Sequence, residues 1–105
     1  MFSATFYHDG TSRPCANGHS YGWNARHYGA FCAGNRWALG THLELASRSG
    51  RRVRVTVVDR IGSGSDVDCS ETTFRALVGS RYKVVGRLPV RVRVLSRPRK
   101  NRGRR

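Results

Sequence analysis

The chain has 105 residues, of which 38% are hydrophobic and 25% charged, so it can form one small domain and lacks the material for a second core. No apolar run approaches the roughly 20 residues that span a bilayer, which excludes membrane spanning, and no basic-then-apolar segment supports secretion by a visible signal. Twenty Lys and Arg against six Asp and Glu give a formal net charge of +14, which favours a polyanionic partner: nucleic acid, an anionic membrane face or an anionic wall polymer.

The first half of the chain predicts short strands and long loops. Residues 3–8 favour a strand that ends in a turn at Asp9-Gly10. Residues 10–40 are rich in Gly and have no clear hydrophobic period, so they predict loops broken by short strands. Alternation of apolar and polar side chains then predicts strands over residues 41–46, 52–58 and 90–95.

A single helix is predicted in the second half. A flexible Gly/Ser turn at residues 62–65 precedes the segment 70–78, in which Ser70 can cap a helix and Gly79 can end it. One small helix with five or six short strands indicates a mainly β barrel, and we expect it to be a monomer because no oligomerisation pattern is visible.

The positive charge is concentrated in the second half of the chain. Residues 48–105 carry 17 basic and four acidic side chains, a net of +13. The last nine residues, 97–105, hold six basic groups and predict a disordered Arg-rich tail after a domain over residues 1–96. Arginines on the outer faces of two alternating strands would form a binding face if those strands were neighbours; the simpler interpretation is solvated strand residues. The five are Arg52, Arg54, Arg87, Arg91 and Arg93.

The cysteines and histidines do not have the spacing of a metal site. A structural zinc site needs four closely spaced ligands, and neither a C-x-x-C nor an H-x-x-x-H pair is present, so no metal or cofactor is predicted. One disulfide between Cys15 and Cys32 is the preferred pairing because both lie in the Gly-rich segment, with Cys69 as a spare thiol. Three reduced thiols fit the sequence equally well. The scattered histidines are His8, His19, His27 and His42.

Two carboxylates mark the strongest candidate site. Asp59 ends a predicted strand, and Asp68 follows a Gly-rich loop just before the predicted helix, so a short loop can bring the two together. Paired carboxylates cleave glycosidic bonds, one as a proton donor and the other as a base or charge stabiliser. In the alternative, which spacing alone favours, Asp68 caps the helix with Ser70 and Asp59 pairs with Arg60 or another arginine.

Several short motifs in one order resemble a known family. They are Ala4-Thr5-Phe6-Tyr7, Ala16-Asn17-Gly18, Leu39-Gly40-Thr41, Val55-Thr56-Val57-Val58-Asp59-Arg60, Asp68-Cys69-Ser70 with Phe74, and Val90-Arg91-Val92-Arg93-Val94-Leu95. The series resembles the double-psi β-barrel domain of the rare lipoprotein A family, whose barrel expansins share, and it covers roughly residues 3–96. The resemblance implies a six-stranded barrel with a polysaccharide groove across one face.

The resemblance also implies activities and site residues. Bacterial members of that family are lytic transglycosylases that cleave peptidoglycan, whereas expansins bind and loosen wall polymers without clear hydrolysis. The key acid of both groups falls on Asp68, the earlier aspartate on Asp59, and an expansin threonine on Thr5. Further substrate contacts are expected from the aromatic residues Tyr7, Tyr21 and Trp23 and from Asn17 and Arg60; for Trp37, packing is the better interpretation.

The chain departs from the family pattern at three positions. The place of a histidine that bacterial members usually carry holds Gly34, next to Asn35. Cys69 stands where the family has Leu in its D-L-S motif, and Ile61 stands where Gly commonly follows D-R. The missing histidine weakens the prediction of cleavage more than that of glycan binding, unless His19, His27 or His42 replaces it in space.

The sequence therefore predicts a protein that acts on wall polysaccharide, with a peptidoglycan lytic transglycosylase that uses Asp68 as acid/base as the first hypothesis. A non-catalytic expansin-like wall-binding module is the second, and a basic nucleic-acid-binding barrel is the third. Either wall function predicts a place in the cell envelope or outside the cell. The lack of a visible signal is consistent with a phage-encoded protein or with a chain without its leader.

Overall fold

Six strands close into a barrel in the computed structural model, which describes residues 1–7, 13–62 and 64–98. The strands are β1 (Phe2–Tyr7), β2 (Phe31–Ala33), β3 (His42–Ser47), β4 (Arg52–Asp59), β5 (Val67–Ser70) and β6 (Leu88–Ser96). The helices are α1 (Tyr21–Tyr28), α2 (Glu71–Val78) and α3 (Tyr82–Val85). The predicted turn at Asp9-Gly10, His8, Ser63 and most of the predicted tail lie outside the described residues.

The strand order around the barrel is β1-β5-β2-β4-β3-β6, and β6 pairs with β1 to close it. The pairs β1/β5 and β2/β4 are parallel, and the other four pairs are antiparallel. The mainly β, six-stranded barrel that the sequence predicted is therefore confirmed. None of the helices in the described ranges is long and apolar enough to cross a membrane.

The barrel interior is filled by alternate residues of the strands. Leu43 and Leu45 of β3 face Val55 and Val57 of β4, and all four are buried because every second strand residue points to the same face. Phe74 of α2 covers this core together with Leu77 and Tyr82. The arginines that alternate with the buried valines point outward for the same reason.

A second apolar cluster lies on the outside of the barrel wall. Phe31 of β2 and Val58 of β4 are buried there with Cys15, under a cover formed by α1 and its preceding loop. Tyr7 and Tyr21 pack against this outer cluster. Strand β2 is therefore buried on both faces, which explains why it lacks the alternation that revealed β3, β4 and β6.

The predicted helix is confirmed as α2, but its start differs from the prediction. Ser70 is the N-cap residue, yet its hydroxyl lies 2.6 Å from Thr73 Oγ1 and makes no capping bond to the backbone. Asp68 lies inside β5, so the interpretation of Asp68 as a helix cap is wrong. Strand β5 and helices α1 and α3 were not predicted; α1 falls in the Gly-rich segment that was expected to form loops and short strands.

The predicted disulfide between Cys15 and Cys32 is absent, and these residues are present as thiols. The physical reason is the barrel wall: Cys32 points into the core, whereas Cys15 belongs to the cluster on the outside. The residue directly across from Cys32 is Cys69 on the antiparallel strand β5, and both thiols are fully buried.

Candidate functional site

Four neighbouring strands place both predicted acids in one row. Thr5 of β1 pairs with Asp68 of β5, Asp68 pairs with Ala33 of β2, and Ala33 pairs with Asp59 of β4. Laterally paired residues share a face of the sheet, and the neighbouring Cys32 and Cys69 point inward, so Thr5, Asp68 and Ala33 face outward. A register shift between Cys32 and Ala33 brings the end of β4, with Asp59, level with them.

The spacing of the row follows from the sheet. Neighbouring strands lie about 4.8 Å apart, so the Cα atoms of Asp59 and Asp68 are about 10 Å apart across β2. Ala33 between them is small and buried, with 3% of the residue exposed. The two carboxylates therefore lie on strands β4 and β5, with β2 between them.

Asp68 is held by a hydroxyl on the neighbouring strand. Thr5 Oγ1 donates to Asp68 Oδ1 over 2.8 Å and also lies 3.0 Å from the Ser65 hydroxyl. Ser65 Oγ in turn is 3.1 Å from the carbonyl oxygens of Ser3 and Val67, which anchors it between β1 and β5. The Thr5 hydroxyl is thus positioned for Asp68 by hydrogen bonds as well as by register.

The Asp68 carboxyl has a raised pKa. Its partial burial is the main cause, because desolvation disfavours the charged form, and the negative charge of Asp59 adds to it. The Thr5 hydrogen bond and the positive charge of Arg87 act in the opposite direction without cancelling the rise. Arg87 is fixed nearby by bonds from its guanidinium to Ser3 Oγ at 2.6 Å and to the Gly64 carbonyl at 2.7 Å.

Asp59 is bound by backbone rather than by arginine. Its Oδ1 accepts hydrogen bonds from the backbone N–H groups of Ala16 and Arg60, both at 2.8 Å. The Arg60 guanidinium instead donates to the carbonyls of Gly34, at 2.7 Å, and Trp37, at 2.6 Å. The predicted ion pair between the Asp59 and Arg60 side chains is therefore wrong, and Arg60 ties the loop after β2 to the end of β4.

Tyr7 lies on the same outward face, two residues after Thr5. Its hydroxyl is buried and has no hydrogen-bond partner among the described residues. Burial raises the pKa of Tyr7, and the nearby Cys15, Asp59, Asp68 and Cys32 raise it further, so the phenol stays neutral and keeps its proton. Tyr7 is therefore an unused donor beside both acids.

The two other aromatic residues predicted to contact the substrate, Tyr21 and Trp23, make contacts within the protein instead. The Tyr21 hydroxyl accepts a hydrogen bond from the N–H of Glu71 at 3.2 Å and lies 3.5 Å from the Tyr7 carbonyl, so it links α1, α2 and β1. Trp23 is stacked between His19, with ring centroids 3.6 Å apart, and His27, at 4.5 Å. A sugar can stack on Trp23 only after one imidazole has moved.

The histidine–tryptophan stack was missed in the sequence although a signal was present. His19, Trp23 and His27 are spaced by four residues, which places their side chains on one face of a helix. The Gly-rich composition around them masked this spacing.

Asn17, a further predicted substrate contact, forms hydrogen bonds within the protein. Its side-chain amide donates to the fully buried Asn24 at 2.8 Å, and its Oδ1 accepts from the His19 N–H at 3.1 Å.

The position at which bacterial members of the rare lipoprotein A family usually have a histidine is closely packed in this protein. Gly34 is buried, and a Cβ added to it would lie 3.0 Å from Cε3 of Trp37. His19, which precedes α1, and His27 on α1 both stack on Trp23. His42 lies on β3, three strands from β5, with Nδ1 2.8 Å from Thr56 Oγ1, so these three do not replace it beside Asp68.

Trp37 packs against the core and against Phe2, with ring centroids 5.8 Å apart, in agreement with its predicted packing role.

Within the described residues, no group of three or more His, Cys, Asp or Glu is placed to hold a metal ion. The arrangement that remains is a row of two carboxylates, one hydroxyl and one phenol on the outside of the barrel.

Solved structures of two kinds share this fold. Cerato-platanin 3 from M. perniciosa matches with a TM-score of 0.69 at 14% identity, over 90% of this chain and 93% of that chain. Apo-expansin from Clavibacter michiganensis matches with a TM-score of 0.67 at 25% identity, over 93% of this chain. The match covers 50% of the expansin chain, so this protein spans about half of that expansin's length.

A variant of the same expansin, in which an aspartate is replaced by asparagine, was solved in complex with cellohexaose and matches with a TM-score of 0.66. No family model matches the chain, and no curated protein matches its sequence. The closed six-stranded barrel and these neighbours together identify the fold: the protein is a double-psi β-barrel that is similar in structure to expansins and cerato-platanins.

Proposed function

We propose that the protein binds a wall polysaccharide across the outer face of β1, β5, β2 and β4, in the manner of an expansin barrel, without cleaving it. The observation that carries this proposal is the row Thr5–Asp68–Ala33–Asp59, in which two carboxylates flank a small residue. Both carboxylates are partly exposed, and carboxylates accept hydrogen bonds from sugar hydroxyls. The cellohexaose complex of an expansin with this fold supports the same ligand class.

Tyr7 adds a reason to expect a polar ligand at this face. A buried hydroxyl without a partner costs about 1–3 kcal/mol of stability. A sugar hydroxyl or an ordered water that enters between Asp59 and Asp68 would supply the missing partner. In this proposal Tyr7 donates, Asp59 and Asp68 accept, and the Thr5 hydroxyl holds Asp68 in place.

Binding without cleavage is favoured by the way the row is built. Asp59 Oδ1 accepts hydrogen bonds from two backbone N–H groups, which hold the carboxylate in one orientation. Gly34 packs against Trp37 where bacterial relatives are expected to carry a histidine. The face therefore lacks a histidine beside Asp68 that could act as a catalytic partner among the described residues.

A peptidoglycan lytic transglycosylase is the second candidate function, and one observation favours it. The raised pKa of Asp68 increases its protonated fraction, and a glycosidic oxygen needs a proton donor when its bond breaks. A sugar hydroxyl of the substrate would then act as internal nucleophile, as a single acid/base requires. Under either function the protein works where wall polymers are, in the cell envelope or outside the cell.

The experiment compares wild type, Asp68→Asn and Asp66→Asn on insoluble peptidoglycan and on cellulose. Asp66→Asn is a matched control, since it makes the same change two residues away, where Asp66 bonds to Ser3 and Arg36 outside the row. Co-sedimentation measures binding, and mass spectrometry of the supernatant measures released sugars. We expect binding by wild type and Asp66→Asn, weaker binding by Asp68→Asn, and no released fragments.

Anhydro-ended fragments released by wild type but not by Asp68→Asn would replace the binding proposal with the transglycosylase. Equal binding by all three proteins would contradict the assignment of Asp68 to the ligand face. If wild type sediments with neither polymer, the wall-polysaccharide proposal fails.

A further inference from the structure

An arginine-rich face lies on the opposite side of the barrel from the carboxylate row. It is formed by the outward residues of β4, β3 and β6, with β3 in the middle, and β3 is three strands from β5 in the closed order. The sequence prediction of a five-arginine cluster on neighbouring strands is corrected in two ways. Strands β4 and β6 are separated by β3, and Arg87 lies apart, beside Ser3 and Gly64.

The strand register arranges the other four arginines as two pairs. Arg52 of β4 and Arg91 of β6 both pair with Ala46 of β3. Arg54 and Arg93 both pair with Glu44. Arginines of one pair are therefore about 10 Å apart across β3, and successive arginines on one strand are about 6.7 Å apart.

This arginine face is positively charged and open to solvent. The four arginines are exposed, and Arg48 in the turn after β3 extends the row. Glu44 is the one acidic residue on this face within the described ranges, and it is bound to Arg93 at 3.2 Å. Four positive charges are thus left without a carboxylate of their own on the face.

Small residues make the face a trough rather than a ridge. Two adjoining grooves, of about 420 Å³ and 660 Å³, share Ala46, Arg52 and Arg91 among their lining residues. Ala46 forms the floor between the two arginine rows, and Ser47 and Gly50 continue the groove toward Arg48. A linear ligand can lie along β3 with guanidinium groups on both sides.

We propose that this arginine face binds an acidic polysaccharide that carries carboxylates along a single chain. Guanidinium groups pair with carboxylates through two parallel hydrogen bonds, and regularly spaced arginines suit regularly spaced charges. The groove-lining residues include no aromatic ring, whereas proteins that bind single-stranded nucleic acid stack bases on aromatic side chains. The proposal does not depend on the carboxylate row, because the two surfaces lie on opposite sides of the barrel.

The test uses polygalacturonate as the probe and the double variant Arg52→Gln/Arg91→Gln of the full chain. The matched control is Arg26→Gln/Arg81→Gln, which removes the same charge from exposed positions on α1 and before α3. Both proteins keep residues 97–105, so any contribution of the basic C-terminal segment is common to them. Calorimetric titration at about 20 mM and about 150 mM salt measures affinity, and thermal unfolding by circular dichroism checks the fold.

We expect the Arg52/Arg91 variant to lose about tenfold in affinity at low salt and the control about twofold, with all affinities falling at higher salt. Asp68→Asn should bind polygalacturonate like wild type, which separates this proposal from the proposed function. Equal losses in the two double variants would show attraction by net charge alone and overturn the arginine face. Tighter binding of duplex or single-stranded DNA than of polygalacturonate, lost in the Arg52/Arg91 variant, would assign the face to nucleic acid instead.

Discussion

Asp66 and Asp68 are two residues apart and have opposite electrostatic environments. The pKa of Asp66 is lowered by the N–H of Ser3, at 2.8 Å, and by the Arg36 guanidinium, which both stabilise its charged form. The pKa of Asp68 is raised because its carboxyl is partly buried and faces Asp59. The difference comes from strand position: Asp66 precedes β5 at the rim, and Asp68 lies within it.

This contrast predicts opposite pH dependences of stability. In the folded protein Asp68 holds its proton above the ordinary aspartate pKa of about 3.9, so its contribution to stability falls as pH rises through that value to the higher folded pKa. For Asp66, with a lowered folded pKa, stability is present above about pH 3.9 and is lost as pH falls toward the folded pKa. Urea unfolding of wild type, Asp68→Asn and Asp66→Asn between about pH 3 and 7 measures both slopes.

The wild-type minus Asp68→Asn difference in the free energy of unfolding should decrease as pH rises, and the wild-type minus Asp66→Asn difference should increase. A difference for Asp68→Asn that stays flat or increases would show that the Asp68 carboxyl is not desolvated as described.

The close packing at Gly34 predicts that a larger residue at this position destabilises the protein. An added Cβ would lie 3.0 Å from Trp37 Cε3, so Gly34→Ala should lower the free energy of unfolding by about 1–3 kcal/mol. Gly62→Ala is the matched control, because nothing lies within 4 Å of an added Cβ there. Urea unfolding of both variants tests this prediction, which fails if Gly34→Ala is as stable as Gly62→Ala.

At the level of elements, the paired strands β2 and β5 bring two thiols together inside the core. Burial raises the pKa of Cys32 to about 12, and burial also raises that of Cys69 well above its ordinary value. The thiolate is the reactive form, so both should be inert at neutral pH while the barrel is folded. The next pair along the same two strands is Ala33 and Asp68. Strands β2 and β5 therefore carry buried thiols on their inner face and part of the carboxylate row on their outer face.

We expect the folded protein to react slowly with a thiol reagent such as DTNB at about pH 8, because reaction at Cys32 and Cys69 needs local opening. After unfolding in guanidinium chloride without reductant, three thiols per chain should react at once. Titration of one thiol in the unfolded, unreduced protein would instead reveal a disulfide and contradict the thiol state described for the cysteines.

The elements that could be predicted are those with one face in solvent. Strands β3, β4 and β6 alternate valine or leucine with exposed residues because they face the core on one side and water on the other. Strand β2 is buried on both faces, and β5 has four residues, of which three are buried, so neither has a readable period. Helix α1 was not predicted because its apolar side chains pack against the outer cluster, which is formed by residues from other parts of the sequence.

For the molecule as a whole, the barrel separates two surfaces of different charge. The carboxylate row lies on the side of β5 and β2, and the arginine face on the side of β3. The last strand of the barrel, β6, ends at Ser96. The basic residues after this point are therefore expected to add charge rather than stability.

Truncation after Pro98 tests that expectation. It removes five basic side chains, and we expect the thermal midpoint to change by less than about 2 °C, since the sequence of residues 99–105 contains no apolar side chain. Affinity for polygalacturonate at low salt should fall, because the net charge is lower. A large drop in the thermal midpoint would show that these residues belong to the folded domain and not to a tail.

The sequence by itself determined the class of fold and the main strands. Alternating side chains reveal a half-buried strand directly, and the order of short motifs pointed to Thr5, Asp59 and Asp68. Only the tertiary structure decided what those residues contact: Thr5 holds Asp68, the N–H of Ala16 holds Asp59, and Arg60 binds carbonyls. These contacts join residues more than 20 positions apart in the chain, and closure of the barrel is what brings such residues together.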